Sequence, residues 1–259
     1  MIKFFRKIRQ NLLMQNLPTG QAGKTGKYFK YAIGEIILVV IGILIALQIN
    51  NWNENRINKQ KTIGYLNSLL EDIKSDVISY NGNIVNYKTS LNNNRRLIIN
   101  DNYKMFDVDS IIKLVSGYYE VDRTSSQTYE KIKNAGLAEA LGSEKVNKAI
   151  NDYYNAERSY YKTMLAWDKD YSDKDINFWF YNTNYESSSI RDYNTNELPF
   201  LNSATKRKTD LINLIESIQG RNHIRNSIIR KEHTLKRVKE FVINAENLID
   251  LITKELLIK

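Results

Sequence analysis

The stretch Tyr31–Ile49, YAIGEIILVVIGILIALQI, holds one ionisable group, Glu35, and Ile36–Leu47 contains no polar side chain. As a helix it reaches about 28 Å, close to the hydrocarbon thickness of a bilayer. Tyr28, Phe29 and Tyr31 flank one end and Trp52 the other, where amphipathic rings prefer to lie. The chain of 259 residues has a net charge of +9. Lys3, Arg6, Lys7, Arg9, Lys24, Lys27 and Lys30 supply most of it, ahead of the apolar run and with no acid among them. Basic residues gathered there indicate a membrane topology signal rather than a nucleic-acid surface, so no nucleic-acid partner is expected. Ala46-Leu47-Gln48 followed by Ile-Asn-Asn-Trp offers no small-x-small cleavage site, so the run reads as an uncleaved signal anchor.

The positive-inside rule then divides the chain into a basic cytoplasmic segment 1–30, a transmembrane anchor 31–50 and a periplasmic region 51–259. Residues 2–13 place Ile2, Phe5, Ile8 and Leu12 at helical spacing among basic residues, as in a helix lying on an anionic membrane surface. Pro18–Gly26 reads as a flexible joint. Its Gly23-Lys24-Thr25 imitates a phosphate loop, but Pro18 stands where the Walker pattern requires glycine and no strand precedes it. Within the span, Gly42 and Ala46 lie within about 20° of Glu35 around the helix. This stripe can admit a second helix closely, so lateral self-association stands beside a simple lipid-facing anchor.

Beyond the span the periodicity is helical. Ile63, Leu66, Leu70, Ile73, Val77, Tyr80, Ile84, Tyr87 and Leu91 alternate spacings of three and four, and Ile98 continues the register. Ile224, Ile228, Leu235, Val238, Val242, Ala245, Ile249, Ile252 and Leu256 repeat the pattern, with Lys231 a polar intruder. Such seams must be covered, and packing one helix antiparallel on the other covers both. Gly220 is expected to separate the second helix from a shorter one. Between the seams, Asp109 can cap a short helix, Thr124 or Ser125 a second ending near Gly136, and Ser143 a third running to Trp167. Residues 170–205, rich in Asn, Tyr and Ser, read as a long irregular insertion. Its Phe178, Trp179, Phe180 and Tyr181 either close one end of the bundle or grip a partner.

Met1–Gln10 and Tyr31–Glu54 resemble the N-terminal signature of an uncharacterised family of single-pass inner-membrane proteins from didermic bacteria. A second segment, Thr128-Tyr129-Glu130-Lys131-Ile132-Lys133-Asn134-Ala135-Gly136 followed by Val146, Ile150, Asp152, Tyr153 and Tyr154, is similar to that family's Tyr-Glu-x-hydrophobic-Lys-x-x-Gly motif and paired tyrosines. Residues 155–259 match only in helical character, and the Pro18–Gly26 joint is longer than the family's. The resemblance implies a single-pass anchor and no activity, cofactor or catalytic residue.

The chain has no cysteine and two histidines. His223 and His233, if on one helix, lie about 80° and 15 Å apart, too far to share a metal within one chain. With no HExxH, Gly-x-Ser-x-Gly or strand-borne Gly-x-Gly-x-x-Gly, no enzyme, cofactor or metal site is expected. The expected fold is all-α, a transmembrane helix followed by an extended antiparallel bundle with coiled-coil-like helices. The expected function is that of a membrane-anchored interaction or scaffold module, partnered by the lipid bilayer and by another protein or its own copies. Helix contacts in the bilayer fall to Glu35, Gly42 and Ala46. The alternative is a ligand-sensing bundle that signals through a membrane partner, with its binding surface near Tyr153, Tyr154, Trp167, Phe178, Trp179 and Tyr181.

Overall fold

A computed structural model describes residues 24–115, 117–181, 185–187 and 198–258. The expected surface helix at 2–13, most of the Pro18–Gly26 joint and much of the 182–197 segment lie outside these residues. All regular structure among the described residues is helical. The helices are α1 (Lys24–Ile99), α2 (Val108–Val115), α3 (Gln127–Asn134), α4 (Glu144–Asn151), α5 (Arg158–Phe180), α6 (Ala204–Glu216) and α7 (Ile218–Ile258). A 3-10 turn, Asn102–Met105, follows α1, and a π-helical stretch, Asp152–Glu157, joins α4 to α5.

The chain divides into two compact units, 1–60 and 61–259. In the first, the helix exposes nearly its whole circumference. Ile36, Val39, Leu44 and Leu47 are each more than half exposed, and Trp52 is 68% exposed. The helix holds a stretch long and apolar enough to cross a membrane, none of it buried within the chain. Helix already begins at Lys24, inside the stretch read as a flexible joint.

The second unit folds as four legs running alternately in opposite directions. From residue 61 onward α1 forms the first. The returning leg is mostly irregular: Leu114 O accepts from Asn94, Glu120 meets Asn86, Ser125 meets Asp76 and Ala140 O accepts from Thr62. Helices α4 and α5 then run parallel to α1, since Tyr153 bonds Asp76, Tyr161 bonds Asn83 and Asp168 bonds Tyr87. Helix α7 comes back antiparallel to both, pairing Arg221 with Leu97, Ser227 with Asn94 and Glu232 with Arg95. Two apolar clusters result. A long one is built on Leu66, Ile73, Tyr80, Tyr161, Val238 and Ile252, and a shorter one on Leu97, Ile111, Trp179, Leu211 and Ile224.

Local chemistry sets the boundaries, in places unlike the expected ones. Asp107, not Asp109, caps α2, accepting from Ser110 N at 2.8 Å and from its hydroxyl at 2.7 Å. Ser143 stands before α4, but its hydroxyl and amide both go to the Glu255 carboxylate at 3.0 Å. Helix α5 continues to Phe180, so residues 170–180 are not irregular. Its inward face there is Asp168, Ser172, Asp175 and Trp179, three polar residues that hide the helical period from a hydrophobicity reading. The break between α6 and α7 falls at Ser217 rather than Gly220. The Ser217 hydroxyl donates to Leu214 O at 2.7 Å, closing α6, and accepts from Gly220 N at 3.0 Å, opening α7. Gly220 serves the turn differently: a Cβ there would lie 2.0 Å from Leu214 O and 3.0 Å from Ile215 O. Because both obstacles are backbone atoms, Gly220→Ala should cost about 1–3 kcal/mol, read from chemical denaturation of the full chain.

Candidate functional site

Between α2 and α3 the chain crosses the bundle without forming a helix, and its backbone groups need partners from elsewhere. The spacing shows how it travels. Glu120 meets Asn86 and Ser125 meets Asp76, so five steps of chain cover ten residues of α1, about 15 Å. That is about 3 Å per residue, close to a fully extended strand. Segment 117–126 is therefore an extended strap laid along the helices. Gly117 starts it where a Cβ would sit 2.6 Å from Ser172 O and 2.9 Å from Ile176 Cγ1.

Buried side chains of all three long helices hold this strap. At its first end Tyr118 O accepts from the ammonium of Lys231, which is wholly buried, and from the Ser172 hydroxyl at 3.2 Å. At its middle the buried Glu120 carboxylate accepts from Asn86 Nδ2 at 2.7 Å and from the Tyr118 hydroxyl at 2.6 Å. At its far end the Arg158 guanidinium, 2% exposed, donates to Ser125 O and to Thr124 Oγ1. Ser125 N donates to Asp76 Oδ1 at 3.2 Å.

At the first end of the strap the buried charges balance one another. Asp168, fully buried, accepts from Lys231 Nζ at 3.0 and 2.9 Å, from Arg230 Nε at 2.9 Å and from the Tyr87 hydroxyl at 2.9 Å. Arg230 also donates to Asp175 Oδ2 at 2.7 Å, and Asp175 Oδ1 lies 2.8 Å from His223 Nδ1. Lys231, Asp168, Arg230 and Asp175 thus alternate in sign, so desolvation is offset by pairing. Burial pushes the Lys231 ammonium down to about 8 against the pull of Asp168. Near the other end, burial raises Asp76 above the usual carboxylate range, with Arg158 opposing it. Tyr153 donates to Asp76 Oδ2 at 2.8 Å, and burial raises its phenol well above the ordinary value.

Neighbours Tyr153 and Tyr154, within the π-helical stretch, are both buried, 2% and 7% exposed. Tyr154 stacks on Tyr129 with centroids 4.5 Å apart. Further along, α5 and α7 meet through a ladder of rings against basic or imidazole groups. Tyr160 faces Arg237 at 5.9 Å, Trp167 faces His233 at 6.0 Å, Tyr171 faces Arg230 at 5.9 Å and Phe178 stacks on His223 at 4.1 Å.

The six aromatic positions expected to share a binding surface are not brought together. Tyr153 and Tyr154 belong to the long core, Trp179 to the short one, and Phe178 packs half-buried against it. Trp167 is on the surface at 39% exposure, and Tyr181 is 71% exposed. The cause is the polar stripe Asp168–Ser172–Asp175, which fixes the inward face of α5 and turns Trp167 and Tyr181 outward. In the first unit, Glu35 and Ala46 are exposed, and no atom lies within 4 Å of a Cβ built at Gly42. His223 and His233 do share α7. A cleft of about 120 Å³ lies beside the strap between Asn86, Ser90, Lys113 and Tyr118, well below the ~300 Å³ at which small-molecule pockets begin. Among the described residues no three His, Asp or Glu are placed to hold a metal ion.

Sequence reading passed over Asp76, Arg158, Asp168 and Arg230, and took Lys231 for a flaw in a seam. The available signal was Asp168, Ser172 and Asp175 recurring at four and three, opposite Ser227, Arg230, Lys231 and Thr234. Removing one partner of the pair, as in Lys231→Met, should cost about 3–5 kcal/mol, and the double variant Asp168→Leu/Lys231→Met less than the sum of its parts, by denaturation of the full chain. The deficit of Lys231→Met should also grow between pH 8 and pH 10. A lysine whose folded pKa is depressed leaves the unfolded chain holding more protons in that window, so stability of the wild type rises with pH there while the variant lacks this gain.

Nothing among curated proteins or solved structures matches the chain. The model of the Family of unknown function (DUF6090) matches residues 35–223, well over half of its length, and the chain belongs to that family.

Proposed function

We propose that the chain is a membrane-anchored helical interaction or scaffold protein of the bacterial inner membrane, with residues 1–30 in the cytoplasm and the bundle in the periplasm. The observation that carries the reading is the bare apolar surface of α1: an 18-residue window with none of its residues buried within the chain. A soluble monomer rarely leaves so large an apolar surface in water, whereas a bilayer solvates it. The basic residues before it and Trp52 after it support an uncleaved signal anchor oriented by the positive-inside rule.

An interaction role fits the second unit better than ligand sensing does. The aromatic residues that would line a sensing pocket are divided between two cores and the surface. Asp168, Arg230, Lys231, Asp76 and Arg158 bond one another or the strap, an arrangement that specifies one packing of the helices and supports a non-catalytic role. Lateral self-association through Glu35, Gly42 and Ala46 is part of the same proposal.

Two measurements test it. The native chain should stay with membranes through alkaline carbonate extraction, and alkaline phosphatase fused after Lys259 should be active while a green fluorescent protein at the same place stays dark. Release into the soluble fraction, or a bright cytoplasmic fluorophore, would overturn the reading. Ile41→Lys should weaken insertion by about 2.5–3.5 kcal/mol, seen as loss of the membrane-bound fraction.

A further inference from the structure

We infer that the groove formed by α1, α5 and α7 is a peptide-binding site which the chain's own strap, Gly117–Ser126, occupies, and that an extended peptide carrying a carboxylate at the place of Glu120 can take its position. This deepens the interaction reading and rests on it only for the existence of a partner.

Four observations converge on the groove. The groups that hold the strap come from outside it and are more than nine-tenths buried: Asp76 at 1% exposure, Arg158 at 2% and Lys231 at 0%. They bind main chain, namely Tyr118 O, Ser125 O and Ser125 N, which any extended peptide also presents. Side-chain recognition rests on three contacts: the Glu120 carboxylate meets the Asn86 amide, Thr124 Oγ1 accepts from Arg158, and Asp122 lies 3.8 Å from Lys162 Nζ. Finally, among the described residues no backbone–backbone hydrogen bond outside the helices involves residues 117–125. The strap is therefore held by side chains around it, as a bound peptide is.

The energetics favour replacement over vacancy. If the strap lifts away, Lys231 and Arg158 lose carbonyl acceptors and Asp76 loses an amide donor, all in a desolvated setting. An empty groove is unfavourable, and a second extended chain supplying the same acceptors and donor restores the balance. The alternation of the strap fits this use: Glu120 faces in, while Val121 and Arg123 face out and are free to differ in a partner. Gly117 supplies a lever, because any side chain there collides with Ser172 O and Ile176, at the end of the groove away from Asp76 and Arg158.

The test uses the full chain in detergent micelles and a fluorescein-labelled decapeptide of sequence GYYEVDRTSS, identical to residues 117–126. Gly117→Val should bind the peptide saturably by fluorescence anisotropy, with wild type at least about tenfold weaker because its own strap competes. A peptide bearing Glu120→Gln should bind Gly117→Val about tenfold less tightly, and a scrambled peptide should not bind. Equal binding of the scrambled peptide, or none to a folded Gly117→Val chain, overturns the proposal. If that variant does not fold, hydrogen exchange of the wild type decides. Strap amides exchanging well ahead of those in α5 and α7 support a releasable strap, and exchange at the same rate as the helices overturns it. These readouts concern the groove alone, whereas membrane extraction and the tail reporter concern the anchor, so either failure is recognisable separately.

Discussion

Ten residues of non-helical chain crossing a helical bundle create a demand that apolar side chains cannot meet. Where the strap's peptide groups face the helices, they need a donor or an acceptor. The bundle answers with an ammonium at one end of the strap, a guanidinium and a carboxylate at the other, and an amide between them. These charges then need counter-charges, and the chain Lys231–Asp168–Arg230–Asp175 follows as a second layer of the same requirement. The relative register of α1, α5 and α7 depends on this arrangement, because one turn of slippage would part both clamps from their carbonyls.

The apolar seams were legible because a helix packed on one face writes its period into the sequence. Leu66, Leu70, Ile73, Tyr80, Ile84, Tyr87 and Leu91 are all buried, as are Ile224, Leu235, Val238, Ala245 and Ile252. What sequence could not show was the second buried stripe. Asp76, Asn83 and Ser90 on α1 lie off the apolar seam, and only partners far away in sequence make their burial affordable. The same blindness cut α5 short, since Ser172 and Asp175 look like loop residues until Arg230 is placed beside them. Capping errors were of another kind: Asp107 and Asp109 are equally good capping residues, and the tertiary path of the chain chose between them.

The two units present opposite solvation problems. Around Ile36–Leu47 the exposed surface is apolar, and none of it is buried among the described residues. In the bundle, the charges of Asp168, Asp175, Arg230 and Lys231 are taken inside and paired there. One part thus carries an apolar stretch long enough to cross a membrane, while the other buries its apolar seams within itself.

The widened turn at Asp152–Glu157 carries a consequence for how this fold tolerates change in length. Upstream of it Tyr153 must reach Asp76, and downstream Asp168 must reach Lys231, both from one nearly continuous rod. A regular α-helix through this point would rotate one attachment away from the other by roughly a third of a revolution. Gaining or losing a single residue there would be felt fifteen positions along, at the innermost ion pair, more strongly than most substitutions made at that pair's rim. The bulge acts as the phase adjuster of the bundle.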